Sequence, residues 1–211
     1  MSTAVPALVA SFGAVAHAGG LPTGGQVVGG SATITTPSAT HMQITSTTTR
    51  SAISWSDFSI GSGYGVNVTQ PNGGTQLESV RGTNVSQIFG SLTSNGSIVI
   101  ANPNGIWFGP NAQVDVAGLA AVAANPSAAD TANFIKGGSL NLSQAGAANA
   151  AVVNQGTISI SNAGLAAFVA PGVRNDGVIA ARLGTVQLSS GTTATLDFYG
   201  DGLISIAVSG Q

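Results

Sequence analysis

Short runs that alternate apolar and polar residues recur along this chain, and a glycine opens each of them. Such runs begin at Gly96, Gly138, Gly156, Gly184 and Gly202. The alternation is typical of strands that place Ile, Leu and Val on one face and Ser, Thr, Asn and Gln on the other. The aliphatic residues of these runs are predicted to point into one core: Ile98, Ile100, Leu140, Leu142, Ile158, Ile160, Val186, Leu188, Ile204 and Ile206.

The spacing of the glycines indicates a repeated unit. Intervals of 22, 20, 18, 21 and 25 residues separate the glycines at positions 96, 118, 138, 156, 177 and 202. The segment at 118–122 is echoed at 164–168, 46 residues later, which we interpret as about two periods. Repeats of this length stack on one another, because each is too small to bury its own apolar face. The pattern predicts an all-β fold, a right-handed parallel β-helix (solenoid). An antiparallel sandwich with strands every 8–12 residues is the alternative.

Glycine and asparagine mark the expected corners of the coils. The opening glycines are expected at sharp turns, where a positive φ is accessible to Gly. Asparagines beside them, stacked on successive coils, are able to form amide ladders. Residues before about 90 lack the glycine ladder. We assign residues 25–90 to an N-terminal β cap with the first coil, and residues 90–211 to the β-helix coils.

The N-terminus resembles a signal peptide. Residues 4–18 are small and apolar and end Ala16-His17-Ala18, an A-x-A cleavage pattern. A basic n-region is lacking, since the first Lys or Arg is Arg50. We predict a truncated signal peptide at residues 1–18, followed by one domain over 19–211. An Ala-rich tail is the alternative.

Composition argues against several kinds of function. The net charge is −2, charged residues make up 6% of the chain, and Cys is absent. A basic field for nucleic acid, a disulfide framework and a thiolate metal site are therefore not expected. His41 has no acidic neighbour in sequence, so we expect it at the surface and not as a catalytic base. Asp197 and Asp201 are four residues apart, as a glycosidase pair could be, but the Tyr-Gly pair between them is typical of a turn. We expect no catalytic, cofactor-binding or metal-ligating residues, and we predict that the chain is not an enzyme.

Three stretches resemble the two-partner secretion (TPS) domain of filamentous haemagglutinin-type exoproteins. They comprise residues 43–46 with 52–61, residues 66–71 with 88–92, and residues 95–109. The third contains the Asn-Pro-Asn-Gly-Ile hallmark of that family, and the resemblance runs from about residue 25 to the C-terminus. The motif residues that it marks for partner recognition or folding are Asn102, Pro103, Asn104, Gly105, Ile106, Gln70 and Pro71.

The resemblance implies a secretion-signal and folding-nucleus domain of a large, adhesin-type bacterial exoprotein. Family members reach the periplasm of a Gram-negative bacterium, are captured by the POTRA domains of an outer-membrane β-barrel transporter, and fold outside the cell. It implies a monomeric isolated domain that is secreted or displayed on the cell surface, without a cofactor. A surface adhesin or carbohydrate-binding β-solenoid module is the alternative function.

The residues of the hallmark by themselves also predict a turn. Pro103 has the fixed φ that suits the second position of a turn starting at Asn102, and Asn104-Gly105 accepts tight-turn dihedrals. Residues 106–108 are predicted to resume a strand. We interpret the motif as a corner needed for folding, which affects secretion through folding or through contact with the partner.

Overall fold

The computed structural model describes residues 20–161, 163–198 and 204–209, without the side chains of 198 and 204–206. The predicted signal peptide lies outside the described residues, as do Asp201 and Gly202. The predicted inward orientation of Ile204 and Ile206 also concerns side chains that are not described.

Three sheets form the walls of a β-solenoid, and this architecture confirms the predicted parallel β-helix. Sheet 1 contains, in spatial order, β1 (Gln26–Gly29), β4 (Arg50–Trp55), β6 (Thr75–Val80), β9 (Ser97–Ala101), β12 (Gly118–Val122), β18 (Leu165–Ala170) and β21 (Thr185–Ser190). Sheet 2 contains β2 (Ala32–Ser38), β3 (His41–Ser46), β5 (Gly65–Thr69), β8 (Ser91–Ser94), β11 (Gln113–Val116), β17 (Thr157–Ile160) and β20 (Val178–Ala181). Sheet 3 contains β7 (Ser86–Ile88), β10 (Ile106–Phe108), β16 (Ala151–Asn154) and β19 (Gly172–Asn175).

The chain visits sheet 2, sheet 1 and sheet 3 in turn, and each strand pairs in parallel with its counterpart one coil later. At the N-terminus the pairing changes to antiparallel: β1 lies against β4 and β2 against β3. These two antiparallel pairs form the predicted N-terminal β cap. Parallel pairing already begins with β3 and β5, so residues 25–90 hold the cap and two coils where we expected one.

The interior of the solenoid is an apolar core. Ile98, Ile100, Ile158 and Ile160 are at most 5% exposed and belong to it, as the period-two alternation predicted. The aromatic rings of Phe108 and Phe168 stack within it, with centroids 5.7 Å apart.

A second apolar cluster covers the outer face of sheet 1, and it corrects part of the predicted coil assignment. Leu140 and Leu142 are buried there, not inside the solenoid. They lie on a strand of a three-stranded antiparallel sheet. Its strands are β14 (Leu140–Leu142), β22 (Thr193–Phe198) and β23 (Ile204–Ser209). The run opened by Gly138 is therefore an excursion from the solenoid, because apolar alternation alone does not say which side of a sheet it packs against.

This excursion also contains the helix of the described region, α1 (Ala128–Ile135), and the short strands β13 (Ala124–Asn125) and β15 (Gln144–Ala145). A capping box between Ser127 and Asp130 starts the helix. Arg50 holds it to sheet 1, donating to Phe134 O and Gly138 O with its guanidinium 5.2 Å from the Phe134 ring. Within the described residues, no helix has the length and apolar character to span a membrane.

The 46-residue echo joins neighbouring coils, so its interpretation as two periods was wrong. Strand β12 pairs directly with β18, and Leu119 lies opposite Ala166. The extra residues belong to the excursion. Because the register is offset by one residue from the echo, Leu119 points into the solenoid and Leu165 points to the outer cluster.

The described residues add no strand beyond β21, so two predicted core residues are exposed although they lie on the predicted inward face. Val186 and Leu188 pair with Ala166 and Phe168 of the core layer beneath them. They are nevertheless 45% and 46% exposed, because β21 is the terminal strand of sheet 1.

The opening glycines are required for a different reason from the one expected. Gly96, Gly156 and Gly177 do not have a positive φ. A Cβ at Gly156 would lie 2.6 Å from Gly109 O, and one at Gly177 would lie 2.2 Å from Gly156 O. Close approach of the preceding coil, not dihedral freedom, therefore selects glycine at these corners.

Candidate partner-recognition and folding site

The Asn102 side chain closes the corner between β9 and β10, and it is fully buried. Its Nδ2 donates to Asn84 O and to Ser86 Oγ, each at 2.9 Å. Its Oδ1 accepts from the backbone N–H of Asn104 at 3.0 Å and from Asn104 Nδ2 at 2.9 Å. These four bonds use the donors and acceptors of the amide. The side chain therefore ties its own turn to the preceding coil.

Residues 102–105 form the predicted turn. Gly105 N–H donates to Asn102 O at 3.0 Å, which places Pro103 at the second position. Gly105 has φ +109°, and a Cβ there would lie 2.6 Å from Ala151 O of the next coil. Both backbone conformation and space therefore require glycine at this position.

The asparagines of the turn act through hydrogen bonds and not through left-handed dihedrals. Among the described residues other than glycine, a positive φ occurs at Ala163 and Leu183, and not at Asn102 or Asn104. Asn104 Nδ2 instead donates to Gly82 O at 2.9 Å, which adds a further bond from the turn to the preceding coil.

Pro103 and Ile106 connect this turn with neighbouring parts of the fold. Pro103 O accepts from Ala147 N–H at 3.0 Å, so the excursion rests on the turn. Ile106 is fully buried and lies between Ser86 and Val152 in sheet 3. The predicted strand after the turn is confirmed as β10.

Gln70 and Pro71 form a separate corner, between β5 and β6. The backbone of Gln70 exchanges two bonds with the Asn95 side chain, at 2.8 and 2.7 Å. Gln70 Nε2 donates to Ser94 Oγ and Ser97 O at 3.0 and 3.1 Å. Pro71 O accepts from Gly74 N–H at 2.9 Å, which closes the turn.

The structure does not bring the two corners together. Asn95, which bonds Gln70, precedes strand β9, and Asn102 follows it. Strand β9, five residues and roughly 17 Å long at about 3.3 Å per residue, lies between them. Each corner nevertheless has the same construction, an amide side chain bonded to the adjacent coil. A third instance is Asn154 Nδ2, which donates to Asn175 Oδ1 at 2.7 Å and forms the predicted amide ladder.

A buried carboxyl group in the solenoid interior was missed by the sequence analysis. Glu78 is fully buried and lies between Ile53 and Ile100 in sheet 1. It accepts from Trp55 Nε1 and from Gln76 Nε2, each at 2.6 Å. Burial raises the pKa of Glu78 to about 7 although both hydrogen bonds oppose that shift. The sequence did contain a signal of this burial: in the period-two pattern of β6, Gln76 and Glu78 lie on the same face as the buried Val80.

The arrangement provides anchoring, and the described residues contain no group of three or more His, Asp or Glu side chains that could hold a metal ion. His41 is exposed, with Nδ1 3.2 Å from Thr40 Oγ1. Asp197 is exposed and lies within strand β22, opposite Ser205, and the turn-like Tyr-Gly pair after it lies outside the described residues.

Known proteins resemble this chain in fold and in sequence. A solved structure, the HMW1 secretion domain from Haemophilus influenzae, superposes with a TM-score of 0.74 at 25% identity. That match covers 89% of this chain and 48% of the other. Two heme/hemopexin-binding proteins of Haemophilus influenzae are 40% and 39% identical over 105 and 97 residues, which is 49% and 46% of this chain. The matched segments span only 12% and 10% of those proteins.

The family assignment rests on a match that is longer than the match to either heme/hemopexin-binding protein. The family model described as the TPS secretion domain matches residues 18–208, which include both corners and all the strands of the three solenoid sheets. This family and the β-solenoid fold point to a non-enzymatic secretion or structural domain. The chain belongs to the TPS secretion-domain family of two-partner secretion exoproteins.

Proposed function

We propose that this domain is the secretion signal and folding nucleus of a large adhesin-type exoprotein, captured by the POTRA domains of its outer-membrane transporter. The match to the TPS secretion domain over residues 18–208 is the observation that carries the proposal. The domain is no enzyme in this proposal. It passes through the periplasm as a monomer and functions outside the outer membrane or on the cell surface.

Recognition by the transporter precedes folding in this proposal. Within the folded domain Asn102 is fully buried with its amide saturated, so a partner has no access to that side chain. An unfolded chain exposes it, and short alternating strands are able to add to a sheet edge of a POTRA domain by β-augmentation. The motif then serves twice, as exposed sequence during capture and as a corner during folding.

The open end of the solenoid supports the role of folding nucleus. Strands β19, β20 and β21 are terminal in their sheets, and nothing in the described part of the chain pairs with their outer edges. At the same end, the exposed side chains of Val186 and Leu188 show that no described residue covers the apolar interior. An edge of this kind is a template for a further coil, since it offers unpaired backbone groups beside apolar surface.

The test is export by an outer-membrane transporter of the two-partner secretion type that accepts this domain. The chain is fused to a reporter after Gln211 and coexpressed with the complete transporter or with one whose POTRA domains are deleted. We expect reporter in the medium with the complete transporter only. Equal export by both transporters would contradict recognition by POTRA domains, and export of the reporter without the TPS domain would contradict the secretion-signal role.

A second candidate function, a surface-binding module, is favoured by the outer face of sheet 2. This face carries exposed or half-exposed polar residues, whereas the outer face of sheet 1 is apolar and covered. Its central column contains Gln43, Asn67, Thr93, Asp115 and Ser159, each opposite the next in the register.

A further inference from the structure

Three Asn-Gly pairs occur in this sequence, at 72–73, 95–96 and 104–105, and each lies at a corner of the solenoid. Asparagine is among the thermolabile residues of proteins. A following glycine makes it more so, because a residue without a Cβ lets its backbone nitrogen approach the side-chain carbonyl carbon of the asparagine. Attack there expels ammonia, provided that the amide is free to turn and that the glycine N–H has no other partner. The surroundings of each pair therefore decide whether it reacts.

The pair at 104–105 is held in the turn described above. Asn104 Nδ2 donates to Gly82 O and to Asn102 Oδ1, each at 2.9 Å. Gly105 is buried, and its N–H donates to Asn102 O at 3.0 Å. The amide that would leave and the nitrogen that would attack are thus both engaged, and the Asn104 side chain cannot turn towards Gly105 without breaking its bonds.

The pair at 95–96 is held in the same way. Asn95 exchanges two hydrogen bonds with the backbone of Gln70, at 2.8 and 2.7 Å. Gly96 N–H donates to Ser94 Oγ at 3.0 Å. Gly96 is also buried, because Gln70 packs on it: a Cβ at Gly96 would lie 2.7 Å from Gln70 Nε2. Both reacting groups of this pair are therefore engaged as well.

The pair at 72–73 has none of these restraints. It occupies the two central positions of the turn that Gly74 N–H closes by donating to Pro71 O, and both of its residues are exposed. Within the described part of the chain, no hydrogen bond involves the Asn72 side chain or Gly73 N–H. Gly73 has φ +71°, and no described atom lies within 4 Å of the place that its Cβ would occupy. The solvent side of this turn is open.

We infer that Asn72 is a site of spontaneous deamidation in the folded domain, whereas the corners at Asn95 and Asn104 protect those residues. In the first step Gly73 N forms a bond to Asn72 Cγ, the Cγ–Nδ2 bond breaks, and Nδ2 leaves as ammonia with the proton of Gly73 N. Water then adds to the cyclic imide and opens it at either carbonyl carbon, which leaves aspartate or isoaspartate at position 72. Water is the co-reactant, and the net change is the exchange of an amide for an acid with release of ammonia.

The product alters the corner in charge and, as isoaspartate, in backbone length. A carboxylate adds a negative charge to a chain whose net charge is −2. Isoaspartate also inserts a carbon atom into the backbone between Pro71 and Gly74, the residues whose hydrogen bond closes the turn. The inference goes beyond the proposed function and does not rest on it. In an unfolded chain all three pairs are equally free, so folding protects two of them and leaves the third.

The experiment is tryptic peptide mapping by mass spectrometry after incubation of the 211-residue chain in mildly alkaline buffer, one sample folded and one unfolded in guanidinium chloride. Trypsin cleaves after Arg and Lys, which places Asn72 on peptide 51–81 and the other two pairs together on peptide 82–136. In the folded sample we expect position 72 to gain the mass of an amide-to-acid exchange at least tenfold faster than positions 95 and 104. In the unfolded sample the three positions should react at similar rates.

Two controls lie on peptide 51–81 itself. Asn67 is exposed but is followed by Val68, so it should stay intact. Asn72→Gln retains an amide but would have to form a larger ring, so it should abolish the mass gain at position 72; circular dichroism verifies that the variant is folded. Three results would overturn the inference: no reaction at position 72 of the folded chain, reaction at position 95 or 104 of the folded chain at the same rate, or the same ratio of rates in the folded and unfolded samples.

Discussion

Replacement of Glu78 by Gln should remove a pH dependence from the stability of this domain. The pKa of Glu78 is raised from 4.5 to about 7 in the folded state by burial. A raised pKa means that the folded protein binds a proton more tightly than the unfolded chain does. The resulting stabilisation is fully present below pH 4.5 and is lost as pH rises through 7.

The magnitude follows from the shift. About 2.5 pH units separate the two values, and each unit corresponds to about 1.4 kcal/mol. The free energy of unfolding should therefore fall by about 3 kcal/mol between pH 4.5 and pH 8, as an order of magnitude. Glu78→Gln keeps the shape of the side chain and carries no charge, so it avoids this cost. We expect the variant to be more stable than the wild type at pH 8 by less than this amount, because its Nε2 cannot accept one of the two hydrogen bonds that the carboxylate receives.

The assay is urea denaturation followed by circular dichroism at half-unit steps from pH 4.5 to pH 8.5. Asp115→Asn, an exposed change on sheet 2, serves as the control and should retain the wild-type slope. A wild-type profile without this slope, or a Glu78→Gln profile with the same slope as the wild type, would refute the assignment of the titration to Glu78.

Three further predictions concern the corner, the core and the glycine stack. Asn102→Val should lower the unfolding free energy by about 2–4 kcal/mol, because it leaves buried partners unsatisfied, and should reduce export; unchanged melting together with unchanged export would contradict both roles of the turn. Ile158→Ala should cost about 2–5 kcal/mol in denaturant melts, whereas Val186→Ala, at the open end, should cost much less; the reverse ranking would contradict the register of the coils. Gly177→Ala should lower the Tm clearly, since its Cβ would lie 2.2 Å from a backbone oxygen, whereas Gly172→Ala, whose nearest contact would be 3.4 Å, should not; equal Tm values would argue against selection of glycine by close approach.

The inward faces of the central strands and the hallmark turn were predictable from the sequence, since both rest on short-range physics. Period-two alternation places Ile98, Ile100 and Ile158 on one face of their strands whatever lies beyond. The Asn102–Gly105 turn follows from the fixed φ of Pro103 and from the hydrogen-bonding reach of a short amide. These properties need a few neighbouring residues only, and the structure agrees with them.

Tertiary structure decided the choices that local pattern leaves open. Leu140 and Leu142 alternate as well as the core strands do, but they pack on the outer face of sheet 1 because that face is apolar too. Leu119 and Leu165 occupy equivalent places in the echo, yet a one-residue offset in register turns them to opposite faces. Strands in a solenoid are paired across a whole coil, and an excursion changes that distance without changing the local pattern.

Burial was the other property that only the assembled coils could determine. Val186 and Leu188 have the pattern of core residues but lie on the last strand of sheet 1, beyond which the described residues form no further coil. Glu78 has a side chain that is typical of the surface, but it lies in the solenoid interior between two neighbouring coils. Trp55 and Gln76 donate hydrogen bonds to its carboxyl group there. Alternation determines which face of a strand a residue occupies, whereas the number of layers stacked on that strand determines whether water reaches it.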